Sequence, residues 1–236
     1  MTQESITALV ARAEQLEVRR VLCSGTPACS SRRLGGGKVR FIVLHYPGVV
    51  TSPLGLAERF ARENINGNDR KSSAHFVIDP ENKCVYSAVP ENRAAWHVGD
   101  GQPSERYTAL GGYHHAVDWH AQLKTAGIAD FKGNRESIGV EISCKRWGGT
   151  KHGPVTDQNW YFDPAAVELA LVLCVKLCRQ YGLTADAVIR HYDATGKPCP
   201  RPFVTLPGDP DDTNERAWQD FKARLAAALD AGETQA

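Results

Sequence analysis

Residues 39–46 read VRFIVLHY. It is largely apolar and rich in β-branched and aromatic side chains, which predicts a strand buried on both faces of a sheet. His45 lies near the end of the run and is soon followed by the turn formers Pro47 and Gly48. Because side chains at the ends of such strands point into the cleft where α/β sheets bind ligands, His45 is a candidate functional residue.

Helical and strand patterns alternate on both sides of this stretch. Helices are predicted at residues 2–22, 53–64, 163–180 and 212–229, and strands at residues 39–46, 75–78, 84–88, 137–143 and 187–191. One continuous core pattern predicts a single α/β domain, with a central mixed β-sheet flanked by helices and a cleft at one face of the sheet. We expect residues 1–37 to form a helix and loop packed on a domain of residues 38–236. Residues 100–134 show no clear periodicity and are interpreted as an insertion, either a long loop or a small helical element.

The balance of charge narrows the possible partners. The chain of 236 residues has 28 Lys and Arg against 27 Asp and Glu, a formal net charge of +1. No overall field attracts nucleic acid or an anionic membrane, so neither is expected as a partner. A monomer is expected, although no feature of the sequence specifies the oligomeric state. No stretch approaches the ~18 apolar residues that span a membrane. Residues 1–22 lack the apolar core of a secretory signal, so we expect synthesis in the cytoplasm without a signal peptide.

The seven cysteines are odd in number and irregularly spaced, which does not indicate a disulfide framework. Cys174 and Cys178 lie in an apolar helical run and are interpreted as small core residues. Cys23 and Cys29 flank a loop, where a bridge formed under oxidation is an alternative to two free thiols.

His191 ends a second apolar strand, and Cys199 follows eight positions later across a segment rich in turn formers. Two imidazoles and a thiolate are ligand types that Zn²⁺ favours, and three protein ligands with one open position are typical of a catalytic zinc site. The spacing alone is weak evidence, because the sequence contains neither an HExxH helix nor a CxxC pair.

The strand at residues 137–143 carries an isolated carboxylate. Its sequence SIGVEIS places Ile138, Val140 and Ile142 on one face, and therefore Glu141 on the opposite face. Glu141 is thus predicted to point away from the apolar core on that side of the sheet.

Four motifs occur in the order seen in zinc amidases: SAHFVI at 73–78, AWHVG at 95–99, ESIGVEIS at 136–143 and HYDATGKPCPRPF at 191–203. Over about residues 38–225 the chain resembles this family, which includes the phage-lysozyme-type N-acetylmuramoyl-L-alanine amidases and the peptidoglycan recognition proteins. The resemblance implies that His45, His191 and Cys199 hold zinc, which would make residues 38–236 a zinc amidase catalytic domain. It also implies that Lys197 stabilises an oxyanion and that Glu141 is the general base.

One position departs from the family pattern. The phage-lysozyme branch has a catalytic tyrosine directly before the histidine of the second motif, whereas this chain has Ala74 before His75. The resemblance therefore assigns the proton transfer to Glu141. His97 and Trp96 are expected to line the cleft and contact a muramyl or peptide group, with a structural role for His97 as the alternative. His75 is grouped with these substrate-side candidates, with a supporting position behind the metal ligands, a packing role and zinc ligation as alternatives.

The histidines at positions 114, 115 and 120 are interpreted as surface or lid residues rather than a second metal site, because carboxylates and fixed strand positions are missing around them. The resemblance implies hydrolysis of the amide between N-acetylmuramic acid and L-alanine in peptidoglycan. Cys199 favours an endolysin-like enzyme that reaches the cell wall through lesions in a host membrane. The alternatives are a cytoplasmic amidase that recycles anhydro-muropeptides and a peptidoglycan-binding protein without activity.

Overall fold

A six-stranded mixed sheet forms the centre of the molecule. The structure is a computed structural model that describes residues 3–21, 29–30, 38–62, 72–128 and 130–233. The strands are β1 (Val18–Arg20), β2 (Cys29–Ser30), β3 (Phe41–His45), β4 (Phe76–Asp79), β5 (Cys84–Ser87), β6 (Ala94–Ala95), β7 (Ser137–Ile142), β8 (Cys144–Arg146), β9 (Trp160–Phe162) and β10 (Val188–Arg190). The helices are α1 (Gln3–Glu14), α2 (Pro53–Ala61), α3 (Gly112–Thr125), α4 (Pro164–Tyr181), α5 (His191–Thr195) and α6 (Thr213–Glu233).

The order of strands in the central sheet is β1-β5-β4-β7-β3-β10. The neighbours β4 and β5 run antiparallel, and the other neighbouring strands run parallel. Two antiparallel pairs, β2 with β6 and β8 with β9, lie outside this sheet. The predicted mixed sheet flanked by helices is therefore confirmed, and β3, β7 and β10 place their carboxyl ends at the same edge.

One face of the sheet buries the main core. Ile42, Val140 and other apolar side chains of β3 and β7 pack there against α4, and helices α1 and α6 pack around α4. Asp163 caps α4 by accepting a hydrogen bond from the Ala165 N–H at 3.0 Å. Gly182 ends the helix in the left-handed conformation, with φ of 63°. Cys174 and Cys178 are fully buried free thiols in this helix, as predicted for small core residues.

The opposite face carries two smaller apolar clusters and the candidate site. Helix α2 covers Val77 on one side. On the other side, Phe41 makes edge contacts with Trp119 of α3 and with Phe131, at 5.8 and 5.0 Å between ring centroids. The large apolar core therefore lies between the sheet and α4. The layer on the opposite side of the sheet is thinner and buries polar side chains as well.

The amino-terminal segment differs from its prediction. A helix was expected at residues 2–22, but α1 ends at Glu14 and β1 follows as the outermost strand of the sheet, parallel to β5. Backbone hydrogen bonds fix this register: Val85 N–H donates to Glu17 O at 3.2 Å and Val21 N–H donates to Ser87 O at 3.0 Å. The prediction was wrong there because available pairing with β5 outweighs a weak helical period. Cys23 and most of the expected loop, including the alternative bridge, lie outside the described residues.

The insertion at 100–134 is helical rather than a long loop. A 3-10 turn at Glu105–Leu110 leads into the 14 residues of α3. The hydrophobic periodicity of α3 is weak because Gly112 and Ala116 are its only buried residues. Gly112 lies so close to the chain at Gly196 that a Cβ atom would stand 2.0 Å from the Gly196 carbonyl oxygen. A tertiary contact therefore holds this helix in place.

Among the described helices, none combines the length and apolar character needed to cross a bilayer.

Candidate metal centre

Three donor side chains meet at the carboxyl ends of β3 and β10. His45 is the last residue of β3, and His191 directly follows β10. Their Nδ1 atoms are 3.1 Å apart, and Cys199 Sγ lies 3.8 Å from His45 Nδ1. The donor atoms of all three lie within 4.8 Å of one another, and all three residues are buried. The cluster can therefore hold a metal ion.

The backbone after β10 explains how Cys199 reaches the histidines. A strand was predicted through His191, but α5 begins at that residue, because the Asp193 carboxylate accepts the Arg190 N–H at 2.7 Å and turns the chain. Gly196 ends this 5-residue helix with φ of 81°. The Tyr192 N–H then donates to Cys199 O at 2.9 Å, which folds the segment back on itself. A turn rich in Gly and Pro thus places a thiol beside two strand-end imidazoles.

Burial keeps the donors uncharged before a cation binds. It lowers the pKa of His45 well below its usual value, and the neighbouring His191 and His97 add to that effect. Burial and the charge of Lys197 lower the pKa of His191 in the same way. Burial raises the pKa of the Cys199 thiol to about 12, against the opposing charge of Lys197. Two neutral imidazoles and a thiol that a cation would deprotonate form a donor set that suits zinc.

Glu141 lies beside this cluster on the next strand. It pairs in register with His45, and side chains paired across parallel strands point to the same face of the sheet. Its Oε2 atom is buried and has no hydrogen-bond partner among the described residues. Burial raises the pKa of Glu141 to about 7, although Lys197 and Arg59 act in the other direction. A carboxylate in this position can accept and return a proton near neutral pH.

Lys197 is half-buried in the segment between α5 and Cys199. Its N–H donates to Thr195 Oγ1 at 3.3 Å, and its carbonyl accepts from the Cys199 N–H at 2.6 Å. Its positive charge lowers the pKa values of both Glu141 and Cys199, against the effect of burial.

The predicted substrate-side residues take three different positions. His97 lies against the cluster, with Nδ1 3.0 Å from His45 Nε2. His75 is fully buried between strands, where Nδ1 accepts from the Gly139 N–H and Nε2 donates to Arg93 O, each at 2.9 Å. Trp96 is half-buried and lines a surface pocket to which none of the three donors contributes. Of these residues, His97 is the one whose ring nitrogen lies within hydrogen-bond distance of a donor imidazole, among the contacts of the described residues.

Residues that the sequence interpretation missed hold α5 in place. The buried Arg190 pairs with Asp193 at 2.8 Å and donates to Phe203 O at 2.7 Å. Burial would raise the pKa of Asp193, but Arg190 and the hydrogen bond from His115 outweigh it and hold that pKa far below its usual value. One available signal was Arg190 itself, because a charged side chain inside an apolar strand requires a buried partner.

The insertion histidines contribute to the same support. His115 Nε2 donates to Asp193 Oδ1 at 2.7 Å, and its ring stacks on Tyr192 with centroids 4.5 Å apart. His120 Nε2 donates to Ala194 O and Gly101 O, each at 3.0 Å. His114 is exposed and His115 and His120 are partly exposed, as the surface interpretation expected, but the rings of His115 and His120 also bond to α5.

An apolar wall encloses the thiol on its other side. Cys199 packs with Tyr46, Cys144 and Trp160, and the Tyr46 and Trp160 rings meet edge to face at 5.6 Å. Trp160 Nε1 donates to Pro154 O at 2.9 Å, which fixes the indole. This wall limits the access of water to Cys199 from the β8–β9 side.

Comparison with known proteins agrees with this geometry. A profile of the Amidase_2 family, described as N-acetylmuramoyl-L-alanine amidase, matches residues 35–202. The N-acetylmuramoyl-L-alanine amidase XlyB of Bacillus subtilis (strain 168) is 30% identical over 166 residues, which are 70% of this chain and 37% of that protein. The N-acetylmuramoyl-L-alanine amidase CwlL of Bacillus licheniformis is 31% identical over 172 residues, which are 71% of this chain and 37% of that protein. The chain thus spans well under half the length of these relatives.

Solved structures show the same fold. The PlyG catalytic domain superposes with a TM-score of 0.55 at 20% identity, covering 91% of this chain and 96% of that one. The structure of PlyL gives a TM-score of 0.54 at 18% identity, covering 89% and 96%. Since the family profile covers more than half of the sequence and includes all three donor positions, the chain belongs to the N-acetylmuramoyl-L-alanine amidase family.

Proposed function

We propose that this chain is a zinc-dependent amidase that hydrolyses the bond between N-acetylmuramic acid and L-alanine in bacterial peptidoglycan, in the manner of an endolysin. The observation that carries the proposal is the buried cluster of His45, His191 and Cys199 beside the unpartnered carboxylate oxygen of Glu141. The match of this chain to the N-acetylmuramoyl-L-alanine amidase family supports the same chemistry.

Zinc is the cation that the donor set fits best. His45, His191 and Cys199 would hold the ion through two nitrogen donors and one sulfur donor, a buried set of the kind that catalytic zinc sites use. A bound zinc ion supplies Lewis-acid activation of water and of the amide carbonyl at neutral pH. The apolar wall of Tyr46, Cys144 and Trp160 lowers the local dielectric around Cys199 and would strengthen the attraction between its deprotonated sulfur and a bound cation.

The remaining chemistry belongs to Glu141 and Lys197. Glu141 takes a proton from the attacking water and returns it to the leaving nitrogen of L-alanine, for which its pKa of about 7 is well suited. The Lys197 ammonium stabilises the negative charge that develops on the carbonyl oxygen in the transition state. With Ala74 before His75, no tyrosine occupies that position to share the proton transfer.

Cys199 as the third donor favours action on the cell wall, as in the endolysin-like branch that this sequence resembles. In that case the protein acts as a monomer on wall peptidoglycan that it reaches through lesions in a host membrane. The competing roles are recycling of soluble anhydro-muropeptides and peptidoglycan binding without cleavage.

The test is mass spectrometry of purified peptidoglycan after digestion by the zinc-loaded full chain. We expect lactyl-ended glycan strands and peptides with a new amino-terminal L-alanine. Glu141→Gln should keep its zinc and lose ~10²–10⁴-fold in turnover, while the exposed His114→Ala serves as a control with unchanged activity.

Other outcomes contradict the proposal in distinct ways. Cleavage of soluble anhydro-muropeptides without cleavage of intact wall would indicate recycling. Binding to the wall without new amino termini would indicate a recognition protein, and undiminished turnover in Glu141→Gln would remove the general base.

A further inference from the structure

We propose that His97 and Ser137 are positioning residues that fix the tautomer of His45, so that its Nδ1 lone pair faces the metal position. A continuous hydrogen-bond chain connects these groups. His45 Nε2 lies 3.0 Å from His97 Nδ1, His97 Nε2 lies 3.2 Å from Ser137 Oγ, and Ser137 Oγ lies 2.8 Å from the Gly133 carbonyl oxygen. The inference rests on the metal site of the proposed function and assigns a role to residues behind it.

The donor and acceptor in each of these hydrogen bonds follow from the last group, the Gly133 carbonyl oxygen. A carbonyl oxygen only accepts, so the single hydroxyl hydrogen of Ser137 is donated to Gly133 O. Ser137 Oγ must then accept from His97 Nε2–H, which leaves His97 Nδ1 as the acceptor of a neutral imidazole.

The same logic reaches the metal ligand. Because His97 Nδ1 accepts, the hydrogen between the two rings belongs to His45 Nε2. His45 Nδ1 therefore carries a lone pair, and this is the atom that stands 3.1 Å from His191 Nδ1 and 3.8 Å from Cys199 Sγ. The opposite tautomer would direct an N–H group into the cluster and block coordination by His45.

The space for the His97 ring is built by a glycine. A Cβ atom at Gly139 of β7 would lie 2.6 Å from His97 Cγ and 2.8 Å from its Nδ1, so a larger residue would displace the ring. The Asn134 side chain holds the backbone of the same segment, since its Oδ1 accepts from the N–H groups of His97 and Val98 at 2.9 and 2.8 Å. Ring and backbone are thus fixed from independent elements, as a positioning role requires.

The hydrogen-bond chain also bears on whether His97 contacts substrate or has a structural role. Both ring nitrogens are engaged by His45 and Ser137, so binding a muramyl or peptide group would require breaking the chain. Partners that orient a metal-bound histidine typically contribute ~10–100-fold to metal affinity. We expect an effect of this size from His97, expressed in zinc binding before any substrate is present.

The experiment measures zinc affinity by chelator competition on the full chain. His97→Leu and Ser137→Ala should weaken zinc binding by ~10–100-fold. His97→Asn should retain most of the affinity, because its Oδ1 can replace the Nδ1 acceptor. The matched control is His114→Ala, an exposed histidine outside the chain, which should bind zinc like the wild type.

A spectroscopic reading separates orientation from packing. In the metal-free wild type, ¹⁵N NMR of the imidazoles should show His45 protonated at Nε2, and Ser137→Ala should populate the other tautomer. A wild-type His45 protonated at Nδ1 would overturn the inference, as would full zinc affinity in folded Ser137→Ala. If His97→Leu fails to fold, the hydroxyl deletion at Ser137 still decides the question.

These readings do not depend on amidase activity. Loss of zinc affinity in the variants of a protein that cleaves no peptidoglycan would leave the inference standing and remove the proposed function. An active amidase whose zinc affinity is unaffected by these variants would do the reverse.

Discussion

Replacing Gly112 with alanine tests whether α3 supports the segment that carries Cys199. The new Cβ atom would lie 2.0 Å from Gly196 O and 2.8 Å from its carbonyl carbon, both backbone atoms that cannot rotate away. An ordinary carbon–oxygen contact is ~3.3–3.6 Å, so α3 and the segment must separate by ~1.3 Å or more. That movement would strain the His115 and His120 hydrogen bonds to α5.

Helix propensity and overpacking change the free energy of unfolding of Gly112→Ala in opposite directions, so the sign of the measured change shows which effect is larger. Gly112 has no positive φ, and alanine in a helix is intrinsically favoured over glycine by ~1 kcal/mol. Overpacking typically costs ~1–3 kcal/mol, and a contact this close to backbone atoms lies at the upper end of that range. After subtraction of the ~1 kcal/mol helix gain, we expect a net loss of ~2 kcal/mol in the free energy of unfolding. For a chain of this size that loss lowers Tm by ~4–8 °C.

The assay compares thermal unfolding and zinc affinity of Gly112→Ala with those of Gly55→Ala. Gly55 lies in α2, where a Cβ atom would meet Ser52 Cβ at an ordinary 3.7 Å. This control should gain ~0.5–1 kcal/mol and bind zinc normally. Wild-type stability and zinc affinity in Gly112→Ala would refute the view that the contact with α3 supports the metal segment.

Three further predictions concern charges. Burial raises the pKa of the Cys199 thiol to about 12, so zinc binding at neutral pH should release one proton from this thiol per ion. Titration calorimetry in buffers of different ionisation enthalpy measures this release. The Cys199→Ser variant should release no proton. Lys197→Ala should lower kcat by ~10²–10³-fold with little change in KM, and a pure KM effect would mean that the ammonium only binds substrate. Lys145 and the Ala165 N–H lower the pKa of Asp163, so Asp163→Ala should cost ~1 kcal/mol above pH ~4. This difference should disappear in denaturant unfolding as the pH falls through the lowered pKa of the folded state.

The central strands could be predicted from sequence because their signals are local. The apolar run that becomes β3 and the alternation in β7 depend on each strand alone, and the parity of Glu141 follows from that alternation. The helix stop at Gly182 is equally local.

The missed elements depend on partners distant in sequence. β1 exists because β5 offers hydrogen bonds more than sixty residues later. α3 is fixed by Gly196, and the orientation of the His97 ring depends on Gly139. None of these contacts leaves a pattern within its own segment, so a single sequence cannot reveal them. The motif order identified the residue types at the site, whereas their hydrogen-bond partners required the fold.

The short strand β1 has a consequence for colloidal behaviour. It covers β5, and its own outer edge carries the exposed Arg19, which pairs with Glu17 at 2.8 Å. Charged side chains on an outermost strand discourage the addition of strands from other molecules. Proteolytic removal of the residues up to Val21 would expose the backbone edge of β5. The trimmed protein would then associate through that edge and precipitate.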